Sequence, residues 1–140
     1  MRRRSTSRLL VLLALAGLGG CVAIRTPPPD LPSDKDVDRI VIETNKKLGT
    51  PASDRVIEDR EQIRRITRFL DAHEQDWREA RMSFPTAFYS VKLACGTLGY
   101  KVVWIGRDWI GTTSDGSRYR MLTSEEGREF REILGLPPKP

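Results

Sequence analysis

The sequence predicts an α+β fold of two layers, in which an antiparallel β-sheet carries two helices packed on one face. Two segments repeat apolar residues at the spacing of an amphipathic helix, and other segments alternate apolar and polar residues as strands do. Short turns separate the successive strands, and this favours antiparallel pairing. The predicted order is β-β-α-β-β-β-β-α, within a single globular domain of residues 37–136.

The first half of the domain is predicted to contain two strands and a helix. Residues 38–43 are rich in β-branched side chains and predict a strand, and residues 55–57 predict a short second strand. Asp59 is the predicted N-cap of the helix, with Gln62 three positions later. The helix is expected to end near His73. Its apolar face is formed by Ile63, Ile66, Phe69 and Leu70.

Four strands in a meander are predicted from Thr86 onward. The last three strands are residues 100–105, 109–113 and 118–122, separated by glycine-containing turns. In the first strand, the period-two pattern predicts that four residues share one side: Tyr89, Val91, Leu93 and Cys95.

Thr123 begins the second predicted helix. Glu126 lies three positions later and completes a capping box. Gly135 and the following two prolines end the helix, and residues 137–140 form a tail. The apolar face of this helix is formed by Phe130, Ile133 and Leu134.

Residues 1–20 predict a signal peptide. A basic start at residues 1–8 is followed by an uncharged apolar run at residues 9–18. As a helix this run would span about 15 Å, half of a ~30 Å hydrocarbon core. A short apolar run behind a basic start, ending in small residues, is typical of a secretory signal.

The segment Leu18-Gly19-Gly20-Cys21 resembles the lipobox of bacterial lipoproteins, in which small residues separate a leucine from a cysteine three positions later. The resemblance covers residues 1–21. It implies that Cys21 becomes the mature N-terminus, with a diacylglycerol on its sulfur and usually an acyl group such as palmitate on its amine. The alternative is an ordinary cleaved signal, which would give a soluble periplasmic protein.

Val22 bears on which membrane would hold the protein. In the lipoproteins that the segment resembles, an aspartate directly after the cysteine retains the protein in the inner membrane. Val22 stands there instead. The resemblance therefore implies an outer-membrane anchor with the domain in the periplasm, or the outer face of the plasma membrane in a host with one membrane.

The net charge excludes nucleic acid as a partner. The whole chain has 24 Lys and Arg against 19 Asp and Glu, a net charge of +5. Four of the arginines, at positions 2, 3, 4 and 8, lie in the predicted signal, so the mature chain has 20 basic and 19 acidic residues. A near-neutral chain lacks the basic surface that binds phosphate backbones.

Residues 21–36 are predicted to be a lipidated cysteine followed by a proline-rich tether. Four prolines in residues 22–36 forbid a helix and favour an extended polyproline conformation. At ~3.1 Å per residue this stretch could reach about 45 Å. It is either a stalk that holds the domain away from the membrane or a disordered N-terminus of no particular length.

Three aromatic residues are the predicted partner-binding residues: Trp104, Trp109 and Tyr119. Tryptophan is enriched in binding hot spots, but it also fills protein cores. A two-layer fold leaves one sheet face uncovered. If these side chains lie on that face, they form an apolar patch that needs a partner; if they lie under the helices, they belong to the core.

Other chemistry-bearing residues favour structural roles. His73 is the only histidine, and no nucleophile with a supporting motif lies near it in sequence. Cys95 alternates with core residues, which favours a buried thiol over a disulfide to a partner. The Arg64, Arg65 and Arg68 cluster is typical of a solvated helix face. No phosphate loop, dinucleotide fingerprint or metal motif occurs, so no cofactor and no metal are predicted.

The expected function is therefore non-enzymatic. The sequence favours a membrane-anchored envelope lipoprotein, with membrane lipid bound through Cys21 and a small periplasmic domain that binds a protein or another envelope component. One alternative is an inhibitor of an exported hydrolase such as a lysozyme or a protease, with residues 111–117 or 74–85 as the inserting loop. The other alternative is a small enzyme that uses His73.

Overall fold

The structure is a computed structural model, and it describes residues 26–80 and 84–138. The predicted signal peptide of residues 1–20, the predicted lipid attachment at Cys21 and the last two residues of the predicted tail lie outside the described residues. The helices and strands of the described part are β1 Arg39–Thr44, β2 Arg55–Ile57, α1 Arg60–Ala72, β3 Arg78–Glu79, β4 Tyr89–Ala94, β5 Tyr100–Ile105, β6 Trp109–Thr112, β7 Arg118–Met121 and α2 Ser124–Leu134.

The strands form one antiparallel sheet in the order β2-β1-β4-β5-β6-β7-β3. Strands β4 to β7 follow one another as the predicted meander. The apolar faces of both helices share one hydrophobic core with one face of the sheet. The predicted α+β fold, an antiparallel sheet with two helices packed on it, is confirmed.

The sheet contains one strand that the predicted order lacks. Arg78–Glu79 forms β3 in a segment that the sequence marks only as polar and mixed, and it pairs with β7. Both residues are exposed, so they carry no hydrophobic alternation that could have predicted a strand. The pairing with β7 makes this two-residue segment a strand.

The core side of the sheet follows from the alternation in β4. Tyr89, Val91 and Leu93 are buried under the helices. The register extends this burial to both neighbouring strands, because Val91 lies opposite Ile42 of β1 and Val103 of β5. Burying an aliphatic side chain of this size contributes about 1.5–3 kcal/mol, so these central strands supply much of the stability.

Helix α1 begins at its predicted cap and packs on α2. The Asp59 carboxylate accepts a hydrogen bond from the Gln62 amide at 2.8 Å, which satisfies one of the free N–H groups of the first turn. On the buried face, the ring of Phe69 stacks on Phe130 of α2 with 4.4 Å between the ring centroids. This stack joins the two helices above the sheet.

Helix α2 has the predicted capping box. The Thr123 hydroxyl accepts a hydrogen bond from the Glu126 amide at 3.2 Å, and the Glu126 carboxylate accepts one from the Thr123 amide at 2.8 Å. The helix ends at Gly135, whose φ of 60° is left-handed, a conformation that glycine adopts without strain. An N-cap of this kind contributes about 1 kcal/mol.

Residues 26–36, called the N-terminal strap below, lie against the domain. Pro29 is buried and Leu31 packs against the hydrophobic core. The Asp34 carboxylate lies 3.6 Å from the Arg64 side chain of α1. The described part of the predicted tether therefore does not extend freely from the domain, because its apolar residues pack on the domain surface.

Gly106 should tolerate no side chain. It joins β5 to β6, and a Cβ atom there would overlap the indole ring of Trp109. We expect Gly106→Ala to lower the free energy of unfolding by about 1–3 kcal/mol, the usual cost of overpacking, in urea unfolding followed by circular dichroism.

Gly127 in α2 is the matched control. Nothing lies within 4 Å of the position that its Cβ would take, so Gly127→Ala should stabilise the helix by about 0.5–1 kcal/mol. Equal effects of the two substitutions would contradict the packing described for Trp109.

Candidate functional site

The sheet face opposite the helices, called the open face below, presents apolar surface to solvent. Three large apolar side chains on it are each more than half exposed: Val56 at 56 %, Tyr100 at 59 % and Met121 at 54 %. The strand register places one row of residues across it, and this row is Glu43, Ser90, Trp104, Gly111, Tyr119 and Arg78.

The three predicted partner-binding residues lie together on the open face. Trp104 and Tyr119 flank Gly111 on the two neighbouring strands, which places their Cα atoms about 10 Å apart at ~4.8 Å per strand. Trp109 lies two residues before Gly111 on the same strand, and hence on the same face. The sequence left open which face these residues occupy; the register places them opposite the helices.

The exposure of these three residues differs. Trp104 and Tyr119 are half-buried, whereas Trp109 is 5 % exposed. The ring of Phe84 stacks on Trp109 with 5.5 Å between the ring centroids, and a side chain on Gly111 would contact both rings. Trp109 therefore packs between the sheet and the connection that precedes β4, and it offers little surface to a partner.

A groove of about 530 Å³ lies beside Trp104 on the open face and crosses β1, β4 and β5. Strand β5 contributes two aromatic rings to it, Tyr100 and Trp104. Tyr89 and Val102 also line it, and polar and small side chains form the remainder of its walls. They include Glu43, Asn45, Thr86, Ala87, Ser90 and Lys92.

The charges in the groove are paired. The Lys92 ammonium donates a hydrogen bond to the Glu43 carboxylate at 2.7 Å, and it lies 5.4 Å from the ring centroid of Tyr100, within range of a cation–π contact. The Glu43 carboxylate raises the pKa of Lys92. The groove thus presents aromatic surface beside one ammonium and one carboxylate that neutralise each other.

Sequence reasoning missed most of this groove. Thr86 and Ala87 precede β4, and although the period-two pattern begins at Thr86, nothing in the sequence indicates that these two residues form a wall of a groove. The signal for Lys92 was present, because the alternation in β4 places it opposite the core residues. Its pairing with Glu43 depends on the contact between β1 and β4, which no local pattern reveals.

His73 ends α1 and is held by two partners. Its Nδ1–H donates to the Phe69 carbonyl at 2.6 Å, and its ring stacks on that of Phe69 at 4.0 Å between centroids. Its Nε2 lies 3.4 Å from the Glu126 carboxylate. The Glu126 carboxylate is also held by Arg120, and these contacts link the end of α1 to the start of α2.

Glu126 connects α2 to the sheet. Its two carboxylate oxygens accept hydrogen bonds from the Arg120 guanidinium at 3.0 and 3.2 Å. The pKa of Glu126 is lowered to about 2, chiefly by the hydrogen bonds from Arg120, although burial opposes this shift. The hydrogen bond from the Thr123 amide and the charges of Arg120 and His73 lower it further. Arg120 also donates to the Gln75 carbonyl at 3.0 Å, so one buried arginine joins three segments.

Cys95 follows β4 and is half-buried against the hydrophobic core. Its thiol donates to the Leu93 carbonyl at 3.5 Å. Burial, followed by the nearby Asp36 and Asp38 carboxylates, raises the pKa of the thiol. The thiol therefore stays protonated at neutral pH, where the thiolate would be the reactive form.

The arginines of α1 lie at its surface. Arg64 pairs with Asp34 of the N-terminal strap, and Arg65 and Arg68 are exposed. Over residues 26–80 and 84–138, no three His, Cys, Asp or Glu side chains are grouped so that they could hold a metal ion.

Arg131 of α2 is a buried charge that the sequence did not predict. It is 4 % exposed, and it donates from Nη2 to the Gly106 carbonyl at 3.0 Å. Its guanidinium lies 6.0 Å from the ring centroid of Tyr89. The sequence did hold one indication of this burial. Arg131 lies next to Phe130 and three residues before Leu134, and both of these lie on the apolar face of the helix.

Each of the two loops considered for insertion into a hydrolase contacts the domain through at least one of its described residues, while several others are exposed. In residues 111–117, the Asp115 carboxylate accepts a hydrogen bond from the Asp30 amide of the N-terminal strap at 3.1 Å. In residues 74–85, Trp77 is buried and donates from Nε1 to the His73 carbonyl at 2.9 Å.

Comparisons of the chain with protein-family models, curated proteins and solved structures find no match. Within the described part of the chain, neither helix has the length and apolar content that crossing a membrane requires.

Acid should destabilise the domain through Glu126. Its pKa is about 2 in the folded protein against an ordinary value of 4.5. Its contribution to stability is therefore complete above pH 4.5 and is lost as the pH falls from there through about 2. We expect Glu126→Gln to lower the free energy of unfolding at pH 7 by about 2–3 kcal/mol, and to flatten the pH dependence in urea unfolding.

Glu129→Gln supplies the control, because Glu129 is exposed on the same helix. This variant should keep the acid sensitivity of the unsubstituted protein. An unchanged acid profile in Glu126→Gln would show that other carboxylates govern the acid response.

Proposed function

We propose that this protein is a non-catalytic, lipid-anchored protein of the bacterial cell envelope, whose domain binds another protein. The proposed anchor is Cys21, at the end of the lipobox-like segment Leu18–Cys21. Each buried methylene contributes about 0.8 kcal/mol, so two or more long chains on one residue make the attachment lasting. Val22 after the cysteine favours the outer membrane, with the domain in the periplasm.

The binding proposal rests on the groove of the open face. Tyr100 and Trp104 line it, and tyrosine and tryptophan are the residue types that most often dominate protein–protein binding energy. Polar side chains surround them, as in the rim of a protein interface. Exposed apolar surface nearby on Val56 and Met121 extends the area that a partner would cover.

The open face is a better docking surface than the edges of the sheet. Strand β2 at one edge has three residues, and β3 at the other has two. Adding a strand from a partner requires a row of free backbone groups, which edges this short do not offer. A partner is therefore expected to contact side chains of the face.

The paired charges in the groove favour a partner surface of low net charge. Because Lys92 and Glu43 neutralise each other, a strongly acidic or basic partner would be repelled by one of them as it paired with the other. We therefore commit to a protein surface that carries apolar and uncharged polar side chains. The groove could instead hold a glycan strand or a second copy of this chain. The crosslinking experiment below distinguishes these two occupants from the proposed protein partner.

We do not extend the proposal to a hydrolase inhibitor or to an enzyme. One described residue of each candidate loop is held on the domain, Asp115 in one and Trp77 in the other, so the groove of the open face supports the proposal better than insertion of either loop does. The His73 ring is engaged by Phe69 and Glu126.

Replacing the proposed anchor should release the protein from membranes. Cys21→Ser removes the thiol on which the diacylglycerol would be placed, so this variant should appear in the soluble envelope fraction. Intact-mass analysis of the unsubstituted protein should show the residues from Cys21 onward plus the lipid. Cys95→Ser is the matched control and should stay with the membrane. A mass equal to that of unmodified residues would refute the anchor.

Loss of the Trp104 ring should weaken partner binding without unfolding the domain. A photoreactive residue at Val102, which lines the groove, should give a discrete protein adduct in intact cells. The same residue at Arg68, exposed on α1, should give none. Trp104→Ala should reduce the Val102 adduct at least tenfold while circular dichroism stays unchanged.

The mass of the Val102 adduct identifies the occupant. An adduct with twice the mass of the chain would mean a second copy, and an adduct released only by glycan-cleaving enzymes would mean a glycan strand. Either result, or equal adducts at Val102 and Arg68, would contradict the proposed protein partner.

A further inference from the structure

We infer that the N-terminal strap holds the domain close to the bilayer in a fixed orientation, with the sheet edge formed by β7 and β3 facing the lipid. This inference rests on the proposed lipid anchor at Cys21. It adds to the proposed function a second interaction surface, the β3–β7 edge, and its partner, the surface of the membrane that carries the anchor.

Arg118 fixes the start of the strap. Its Nη1 donates to the carbonyl of Pro27 at 2.7 Å and to that of Pro28 at 2.9 Å. Its guanidinium also lies 3.4 Å from the Asp115 carboxylate, which in turn accepts the Asp30 amide hydrogen bond at 3.1 Å. One arginine of β7 and one aspartate of the β6–β7 hairpin thus bind the strap backbone at residues 27, 28 and 30.

Apolar contacts hold the strap on the domain in addition to these hydrogen bonds. Pro29 is buried, and Leu31 packs on the hydrophobic core. The residues 28–31 line a cleft together with Leu70 and Trp77. Proline carries no backbone N–H. The three prolines at residues 27–29 therefore have no N–H group that docking would separate from water. The strap is therefore part of the folded domain from about Pro27 onward.

The chain between the strap and the proposed anchor is short. Thr26 follows Cys21 by five residues, and five residues span at most about 18 Å in any conformation. A free tether over residues 22–36 would reach about 45 Å. Because the strap is bound, the start of the domain stays within about 18 Å of the lipidated residue.

The place where the strap begins determines which surface faces the membrane. Thr26, Pro27 and Pro28 lie beside residues 74–78, which lead into β3. The loop between β1 and β2 lies across the sheet, four to five strand positions from β7, or about 19–24 Å away at ~4.8 Å per strand. The β3–β7 edge is therefore the near side and the β1–β2 loop the far side.

The anchor, rather than charge, sets this orientation. The residues around the start of the strap carry both signs, with Glu74 and Asp76 beside Arg78. Basic clusters that attract anionic lipid contain several lysines or arginines without such acidic neighbours. The orientation should therefore persist on vesicles of uncharged phosphatidylcholine.

Two labelling positions test the orientation. Ser117 lies on the near side next to Arg118, and Ala52 lies in the β1–β2 loop; both are exposed. In a Cys95→Ser background, Ser117→Cys and Ala52→Cys each carry a fluorophore on the acylated protein. In phosphatidylcholine vesicles containing lipids with nitroxide headgroups, we expect quenching at position 117 to be at least threefold greater than at position 52. Equal quenching would overturn the inference.

Arg118→Ala tests the strap itself. It removes both hydrogen bonds to the strap carbonyls, so the difference in quenching between positions 117 and 52 should fall at least twofold while circular dichroism stays unchanged. A difference that persists in this variant would show that the strap does not set the orientation.

Failure of the anchor and failure of the strap give different results. A protein without the lipid mass that does not sediment with vesicles would refute the anchor, and the membrane orientation with it. Docking of the strap is then measured on Cys21→Ser protein by hydrogen exchange of the Asp30 amide. This amide should exchange at least tenfold faster in Arg118→Ala, and equal rates would overturn docking as well.

Discussion

The ladder between β1 and β4 is the interaction on which the rest of the structure depends. Its six residue pairs, from Arg39 opposite Ala94 to Thr44 opposite Tyr89, join segments that are far apart in sequence. On one side this register aligns the side chains that both helices cover. On the other side it brings Glu43 to the Lys92 ammonium and forms the floor of the groove. Because strand side chains alternate with a period of two, a slip of one residue would exchange the two faces and abolish core and groove together.

Local signals predicted most of the fold, because they depend on residues within one helical turn or one hairpin. Asp59 and Thr123 cap the helices where their spacing to Gln62 and Glu126 indicated. The meander of β4 to β7 follows from glycine-containing turns between alternating segments. Two helices and a consecutive run of strands then leave few arrangements other than two layers.

Long-range pairing decided what the sequence left open. Strand β5 reads YKVVWI and is apolar on both faces, so periodicity could not assign Trp104 to a face; its register against β4 does. Arg78–Glu79 is a strand only because β7 presents an edge to it. Arg131 is buried because the Gly106 carbonyl, 25 positions away, accepts its hydrogen bond. The anchor at Cys21 stays a prediction, because it lies outside the described residues.

The absence of a side chain at Gly111 lets the ring of Phe84 settle on the sheet from a segment that belongs to no strand. The stretch that carries Thr86 and Ala87 into the wall of the groove is held by that ring at one end and by the backbone hydrogen bonds of Phe88 at the other. Changes in this stretch alter the contour of the groove and leave the hydrogen-bonded sheet intact. Natural selection can therefore reshape the groove one residue at a time, without endangering the folding of the domain.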